Sequence, residues 1–504
     1  MTRRALPLVL AGAGLFVAAL DAYVVVTLLP AMVADIGLTI DRFEQATPIV
    51  TGFLGGYVVA MPLLGAYSDT RGRAPVFAIC MAAFALGSVV TATAGLMSLA
   101  GLPWLVAGRF LQGLGGGGLV PLTLALAADL YRGSTRTFAL GSVTALQEAG
   151  SVLGPLYGAT LAAALATWGG WRFAFWVNLP LAIICGGGLL LVSRGSGDLR
   201  SIRAGEVDWA GAALLGLGLG LLVVALYPDD PSTRATSGLL IPVGLLSLAV
   251  LGLYGWRQLR RLEPLIPREL LRSRAFLGVT GANLLIGGAL MVTLVDVPLL
   301  GRLVFGQDQL DSGLLLSHFL IGVPVGAIAG GLLATRAGFR LTTLAGLLLA
   351  AAAFLQMSGW SADELSRHAG PFRVADLSLG LCGLGFGIVV APLAARVLEL
   401  IQAEHHGLAS SLVVLARTMG MLIGLSALTA FGLYRFKQIL GTPQLTDPDI
   451  EARIQHLERL VGAAFLQEYR EIFLIAAGMC ILAALIAVAT MGPASALGRD
   501  RQQV

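Results

Sequence analysis

Read for polarity alone, the chain is a series of long apolar runs separated by short charged stretches. A helix needs roughly 20 apolar residues to cross about 30 Å of hydrocarbon. Fourteen runs reach that length, near 5–34, 45–67, 74–96, 103–128, 137–165, 174–193, 208–227, 239–256, 275–305, 309–333, 341–358, 376–398, 407–432 and 471–491. The pattern predicts an all-α polytopic membrane protein. The first run follows Met1-Thr2-Arg3-Arg4, yet its apolar stretch is about twice a signal-peptide core and contains Asp21, so it reads as a retained helix.

Composition excludes a soluble enzyme. Of 504 residues, 57% are apolar and 12% charged, against roughly a quarter charged in a soluble domain. The 66 glycines follow no three-residue period and suit close helix packing in lipid. Cys80, Cys185, Cys382 and Cys480 lie far apart inside apolar runs, which is neither a disulfide framework nor a metal spacing. The net charge of +4 includes one lysine, Lys437. An even number of crossings puts both termini on one side. Assigning that side to the cytoplasm places most arginines there and leaves Arg109 and Arg417 inside helices, as the positive-inside rule favours. A bacterial inner (plasma) membrane is the expected location.

The runs group as six, two and six. Residues 1–193 form one six-helix bundle, 194–274 a central insert with two extra helices, 275–493 a second bundle, and 494–504 a cytoplasmic tail. The bundles echo each other. Ala19-Leu20-Asp21-Ala22-Tyr23-Val24-Val25 in the first resembles Leu294-Val295-Asp296-Val297-Pro298-Leu299 in the second, and the loop Gly65-Ala-Tyr-Ser-Asp69-Thr70-Arg71-Gly72-Arg73 resembles Gly331 to Arg340. Parallel six-helix repeats are one way to build a transporter, with the substrate path between the halves.

The loop at 65–73 resembles the signature between helices 2 and 3 of the major facilitator superfamily, except that Thr70 stands where a basic residue is usual. Gly108-Arg109-Phe-Leu-Gln112-Gly113 resembles the helix 4 motif of that superfamily, and Gly150-Ser-Val-Leu-Gly154-Pro155-Leu-Tyr-Gly158 its antiporter motif. Trp171-Arg172-Phe-Ala-Phe-Trp176-Val-Asn178-Leu-Pro180 resembles the entry to helix 6 in the fourteen-helix drug:proton branch. A longer likeness, through Asp21 to Thr27, Gln147 to Tyr157, Leu290 to Val297, Gly420 to Gly424 and Gly432 to Leu440, is to the mycobacterial family of triacylglyceride exporters that work with a periplasmic lipid-carrying lipoprotein. That resemblance implies lipid export, with proton-coupled multidrug efflux as the competing reading.

Ionisable groups inside hydrocarbon cost at least about 2.5 kcal/mol each and should face the interior with a role or a partner. Five are candidates for proton coupling or an ion lock: Asp21, Arg109, Glu148, Asp296 and Arg417. A carboxyl in a low-dielectric site favours its neutral form and a nearby arginine restores the charged one, so a pair that forms and breaks with conformation is a proton switch. The resemblance implies such a lock between Glu148 and Arg417; a static ion pair that only fixes packing is the bland reading. Arg109 is expected to tie its helix to the first helix or to Asp21. Gly65, Asp69, Arg71, Gly72 and Arg73 are the expected cytoplasmic gate.

Other candidates fail. Gly115 to Gly118 lack the Lys-Ser/Thr ending of a phosphate loop. His405 and His406 are adjacent in a polar loop and make a poor metal pair, and His318 stands alone. No cofactor, metal or nucleic acid is expected; without a nucleotide site, energy should come from an ion gradient, which the resemblance implies is a proton gradient. Few Asn or Gln lie mid-membrane, Gln147 and Asn283 being the main ones, which favours an apolar or amphiphilic cargo. Residues 433–470 place Phe436, Ile439, Leu440, Leu457 and Val461 at helical spacing. They read as two helices rising above the outer leaflet to guide a lipid or dock a carrier, and 359–375 as a short hairpin beside them. The protein is expected to act as a monomer.

Overall fold

The structure, a computed structural model, describes residues 5–36, 47–96, 101–164, 170–194, 208–226, 238–261, 264–307, 309–399, 406–440 and 450–491. In chain order the long helices are α1 (Ala5–Asp35), α2 (Thr47–Arg71), α3 (Arg73–Ala92), α4 (Gly101–Leu130), α5 (Gly133–Ala164), α6 (Arg172–Ser193) and α7 (Trp209–Leu226). They continue with α8 (Leu240–Arg260), α9 (Arg274–Leu303), α10 (Ser317–Met357), α11 (Val374–Glu399), α12 (His406–Leu440) and α13 (Ile450–Thr490). Twelve helices among the described residues are long and apolar enough to cross a membrane. Helix α5 stands outside those twelve, and it carries the polar series Ser142, Thr144, Gln147, Glu148 and Ser151.

The runs predicted at 309–333 and 341–358 are joined in α10, 41 residues long. It turns at Gly338, whose φ of 78° and ψ of 164° suit a residue without Cβ. Gly72, between α2 and α3, has nearly the same conformation, φ 89° and ψ 153°. The two loops that echoed each other in sequence are therefore the same turn.

Close helix crossings repeat as well, and they fix the register between the halves. A Cβ on Gly113 would lie 2.1 Å from the Phe53 carbonyl oxygen, and one on Gly117 2.1 Å from that of Tyr57. In the second half Gly383 and Gly387 meet the Phe319 and Val323 carbonyls at the same 2.1 Å. Gly150 and Gly154 seat α5 on the carbonyls of Phe16 and Leu20, while Gly420 and Gly424 seat α12 on Leu284 and Gly288. Leu20 thus corresponds to Gly288, and the partner of Asp21 is Ala289. Asp296 lies seven positions farther along, at the end of the π turn Val292–Asp296. The letter match of Asp21 with Asp296 was a false register.

The halves meet along two seams, α12 against α2 and α4, and α5 against the first arm of α10 and α11. In the insert, Gly216 and Gly220 of α7 approach Val59 of α2, and Trp209 lies 4.9 Å from the Tyr67 ring. Helix α8 packs outside α7 and exposes Ile241, Leu245, Leu248 and Leu259. At its end Arg257 and Arg261 each reach Asp208 at 2.9 Å. Burial pushes the Asp208 carboxyl up, but the Arg257 hydrogen bond, the Gly211 N–H and the two arginine charges outweigh it and hold it below the usual carboxylate range.

The hairpin expected near 370 is present: His368–Ala369 pairs antiparallel with Phe372–Arg373 around Gly370, φ 66°. Trp360 beneath it is buried against Phe305 and Phe473.

Candidate functional site: a buried charge network and a gate between the halves

Asp21 and Arg109 are each 1% exposed. Burying either alone would be prohibitive, and the sequence meets the cost with partners from four helices. Arg109 Nη1 of α4 donates to Asp21 Oδ2 of α1 at 2.8 Å and to Gln112 Oε1 at 3.0 Å. Asn178 Nδ2 of α6 donates to Asp21 Oδ1 at 2.7 Å and to Ser88 Oγ of α3 at 3.1 Å. Gln112 Nε2 closes the ring on Ser88 Oγ at 2.9 Å. The Phe53 ring of α2 lies under the guanidinium, 4.3 Å from its carbon. Of the two ties expected of Arg109, to the first helix or to Asp21, the structure forms the one to Asp21. Asn178, Gln112 and Ser88 carry no charge to mark them in the sequence, though Asn178 and Gln112 lie inside the helix 6 and helix 4 motifs.

The pair expected between the halves is formed. Glu148 Oε1 of α5 and Arg417 Nη2 of α12 are 3.5 Å apart, and their charges reach the phenols of Tyr23 on α1 and Tyr57 on α2. At that spacing the pair is looser than Asp21–Arg109 and straddles the seam rather than one bundle. The motif glycines Gly150 and Gly154 pack α5 onto α1, and Gly158 is buried; the Pro155 side chain lies outside the described residues.

Below this pair, at the end carrying the Gly72 turn, a second cluster holds the halves together. Arg73, 4% exposed, bonds Asp69 at 2.5 Å, Asp129 of α4 at 3.0 Å and Ser68 Oγ at 2.7 Å. Asp69 Oδ2 accepts the Leu408 N–H at the start of α12 at 3.1 Å, where free backbone donors and the helix dipole favour an anion. His406 Nδ1 donates to Asp129 Oδ1 at 2.7 Å, and Arg136 of α5 bonds His406 Nε2 at 3.3 Å and the Leu398 carbonyl at 2.9 Å. Ser410 donates to the Pro121 carbonyl at 3.0 Å. Gly65 is buried; Arg71 is exposed and has no ion pair among the described residues. The sequence gives no sign of the role of His406, because its partners Asp129 and Arg136 lie in the other half, where no local pattern shows them.

A family model described as Major Facilitator Superfamily matches residues 11–425. The chain belongs to the major facilitator superfamily. It is 42% identical to a triacylglyceride transporter of Mycolicibacterium smegmatis over 94% of this chain and 85% of that one. A triacylglyceride transporter of Mycobacterium tuberculosis is 42% identical over 94% of this chain and 92% of that one. Among solved structures, the human organic anion transporter MFSD10 superposes with a TM-score of 0.63 at 18% identity, covering 97% of this chain and all of the other. The proton:xylose symporter XylE superposes with a TM-score of 0.60 at 15% identity, covering 97% and 96%. Those two likenesses concern the fold. This superfamily member is a multi-pass membrane transporter whose halves are joined at one end by the Asp69–Leu408 and Asp129–His406 bonds and farther along the seam by Glu148 and Arg417.

At the opposite end α12 runs on to Leu440 and α13 starts at Ile450. Phe436 stacks on Phe465 with ring centroids 4.2 Å apart, and Arg435 binds both Glu471 oxygens at 2.6 Å. Ile439 is exposed, Leu440 and Val461 half-buried; the Leu457 side chain and residues 441–449 lie outside the described residues.

Proposed function

We propose that this transporter exports triacylglyceride or a related glycolipid from the inner membrane toward the periplasm by alternating access, driven by inward proton flow. The observation that carries the mechanism is the Glu148–Arg417 pair, a carboxylate and a guanidinium 3.5 Å apart across the seam. Kinship with triacylglyceride transporters supports the cargo. The α12–α13 extension, paired through Phe436 and Phe465, supports a path that leads an apolar molecule beyond the outer leaflet.

In this reading the Gly72 end is cytoplasmic, both termini lie there, and the present shape faces outward. The fourteen crossings are the twelve apolar helices with α5 added and α10 counted as two arms around Gly338. A proton arriving from outside neutralises Glu148 and releases Arg417. The seam then loses its mid-depth charge pair, and the bonds from Asp69 and His406 are left to hold the cytoplasmic end. When that end opens, lipid enters, the proton leaves to the cytoplasm, and the re-formed pair returns the halves to the outward state. No cofactor takes part. The transporter acts as a monomer and passes lipid to a periplasmic lipid-carrying lipoprotein.

Reconstituted protein given a triacylglyceride and a dye side by side, with and without a pH gradient, tests this. Gradient-dependent lipid movement that Glu148→Gln abolishes is the expected result. Gradient-dependent dye movement without lipid movement would favour the drug antiporter, and lipid export at the wild-type rate by Glu148→Gln would end the proton-switch role.

A further inference from the structure

The second half carries two acids that the network above does not explain. Asp296 closes the π turn Val292–Asp296 of α9, and the glycine register shows that it is no counterpart of Asp21. Glu468 of α13 is 7% exposed. Its Oε1 lies against α12 at Gly432, where a Cβ would come within 2.3 Å, and its Oε2 is buried with no hydrogen-bond partner.

The π turn that ends at Asp296 packs against α13, the helix of Glu468 and Tyr469, and this brings Asp296 into the field of the Glu468 carboxyl and beside the Tyr469 phenol. No ion pair involves either acid among the described residues. Glu471, on the same helix as Glu468, adds a further negative charge, and the cation from α12, Arg435, is held by both oxygens of Glu471 at 2.6 Å. Two carboxylates in a low-dielectric site without a cation repel, and one proton between them removes the repulsion. The π turn points the same way, since such bulges concentrate at functional sites.

We propose that Asp296 and Glu468 form a proton-binding pair in the C-terminal half, placed toward the outer side, that takes up a proton ahead of Glu148. The step is a plain transfer: a proton from outer-side water adds to a carboxylate oxygen, and the pair loses one negative charge. Gly432 makes room for the Glu468 carboxyl, so the site is built from α9, α12 and α13 together. This inference rests on the proton-coupled reading of the transporter.

Infrared difference spectra of the full-length protein in lipid, recorded between alkaline and acidic pH, test the site without using transport. The expected result is a buried protonated-carboxyl band that shifts in Asp296→Asn and in Glu468→Gln, disappears in the double variant, and persists in Glu148→Gln. A double variant whose band matches the wild type overturns the site. In proteoliposomes the double variant should lose gradient-driven transport, and transport at the wild-type rate would overturn its place in the proton path. Gradient-independent transport by the wild-type protein would instead defeat the proton-coupled reading, an outcome the infrared bands do not depend on.

Discussion

The two halves share a backbone frame but not a core. The glycine register that superposes α4 on α11 and α3 on the second arm of α10 places Leu379 where Arg109 stands, Cys382 where Gln112 stands and Phe354 where Ser88 stands. Ala289 takes the place of Asp21. All four of these residues are fully buried. Phe354 packs with Phe386 and Phe473, their ring centroids 6.0 and 6.3 Å away. The same bundle is therefore stable with an apolar centre, and the charge network of the first half is not required by the architecture. What a fold can do without, at the desolvation cost of a buried ion pair, is best read as machinery.

Five substitutions probe this contrast, in order of expected effect. Arg109→Leu alone strands the Asp21 charge and should destabilise the protein by about 3–5 kcal/mol, read as a large drop in thermal midpoint of the purified protein. A near-normal midpoint would mean that Asp21 finds another partner. The gate charges also belong to one half only, because the second loop has exposed Thr335 and Arg336 where the first has Asp69 and Thr70. Asp69→Asn weakens the bond to the Leu408 N–H and should shift the halves toward opening at this end by about 1.5–3 kcal/mol. Labelling of a cysteine placed beside Gly72 reads that shift, and unchanged labelling would remove Asp69 from the gate.

The frame itself should respond alike in both halves. Gly117→Ala and Gly387→Ala each drive a Cβ toward a carbonyl at 2.1 Å and should each cost about 1–3 kcal/mol. A large difference in their thermal midpoints would break the shared register. Arg336→Ala, on an exposed turn, should change stability by no more than about 0.5 kcal/mol.

Much of this was legible in the sequence. Apolar runs gave the helices, and intramembrane charges pointed to Asp21, Arg109, Glu148 and Arg417 because hydrocarbon makes each one costly. Partners that are polar but uncharged escaped, since Ser88, Gln112 and Asn178 are unremarkable one at a time and meet only through packing of α3, α4 and α6. His406 and Asp129 escaped for a related reason: 277 positions separate them, and only closure of the halves brings them to 2.7 Å. The repeat was seen but misaligned, because matching letters favoured Asp296 whereas backbone contacts place Ala289 opposite Asp21. Glu468 lay within the segment read as an outer extension, where a carboxylate needs no explanation until its burial is known.

In the proposed mechanism the polar core of the first half couples transport to protons and does not hold the bundle together. The direct test gives the first half the residues of its twin, Asp21→Ala together with Arg109→Leu, and measures lipid transport into proteoliposomes driven by a pH gradient alongside the thermal midpoint. The expected result is a folded protein with a midpoint close to the wild type and no gradient-driven transport. Gradient-driven transport at the wild-type rate by that folded variant would contradict it.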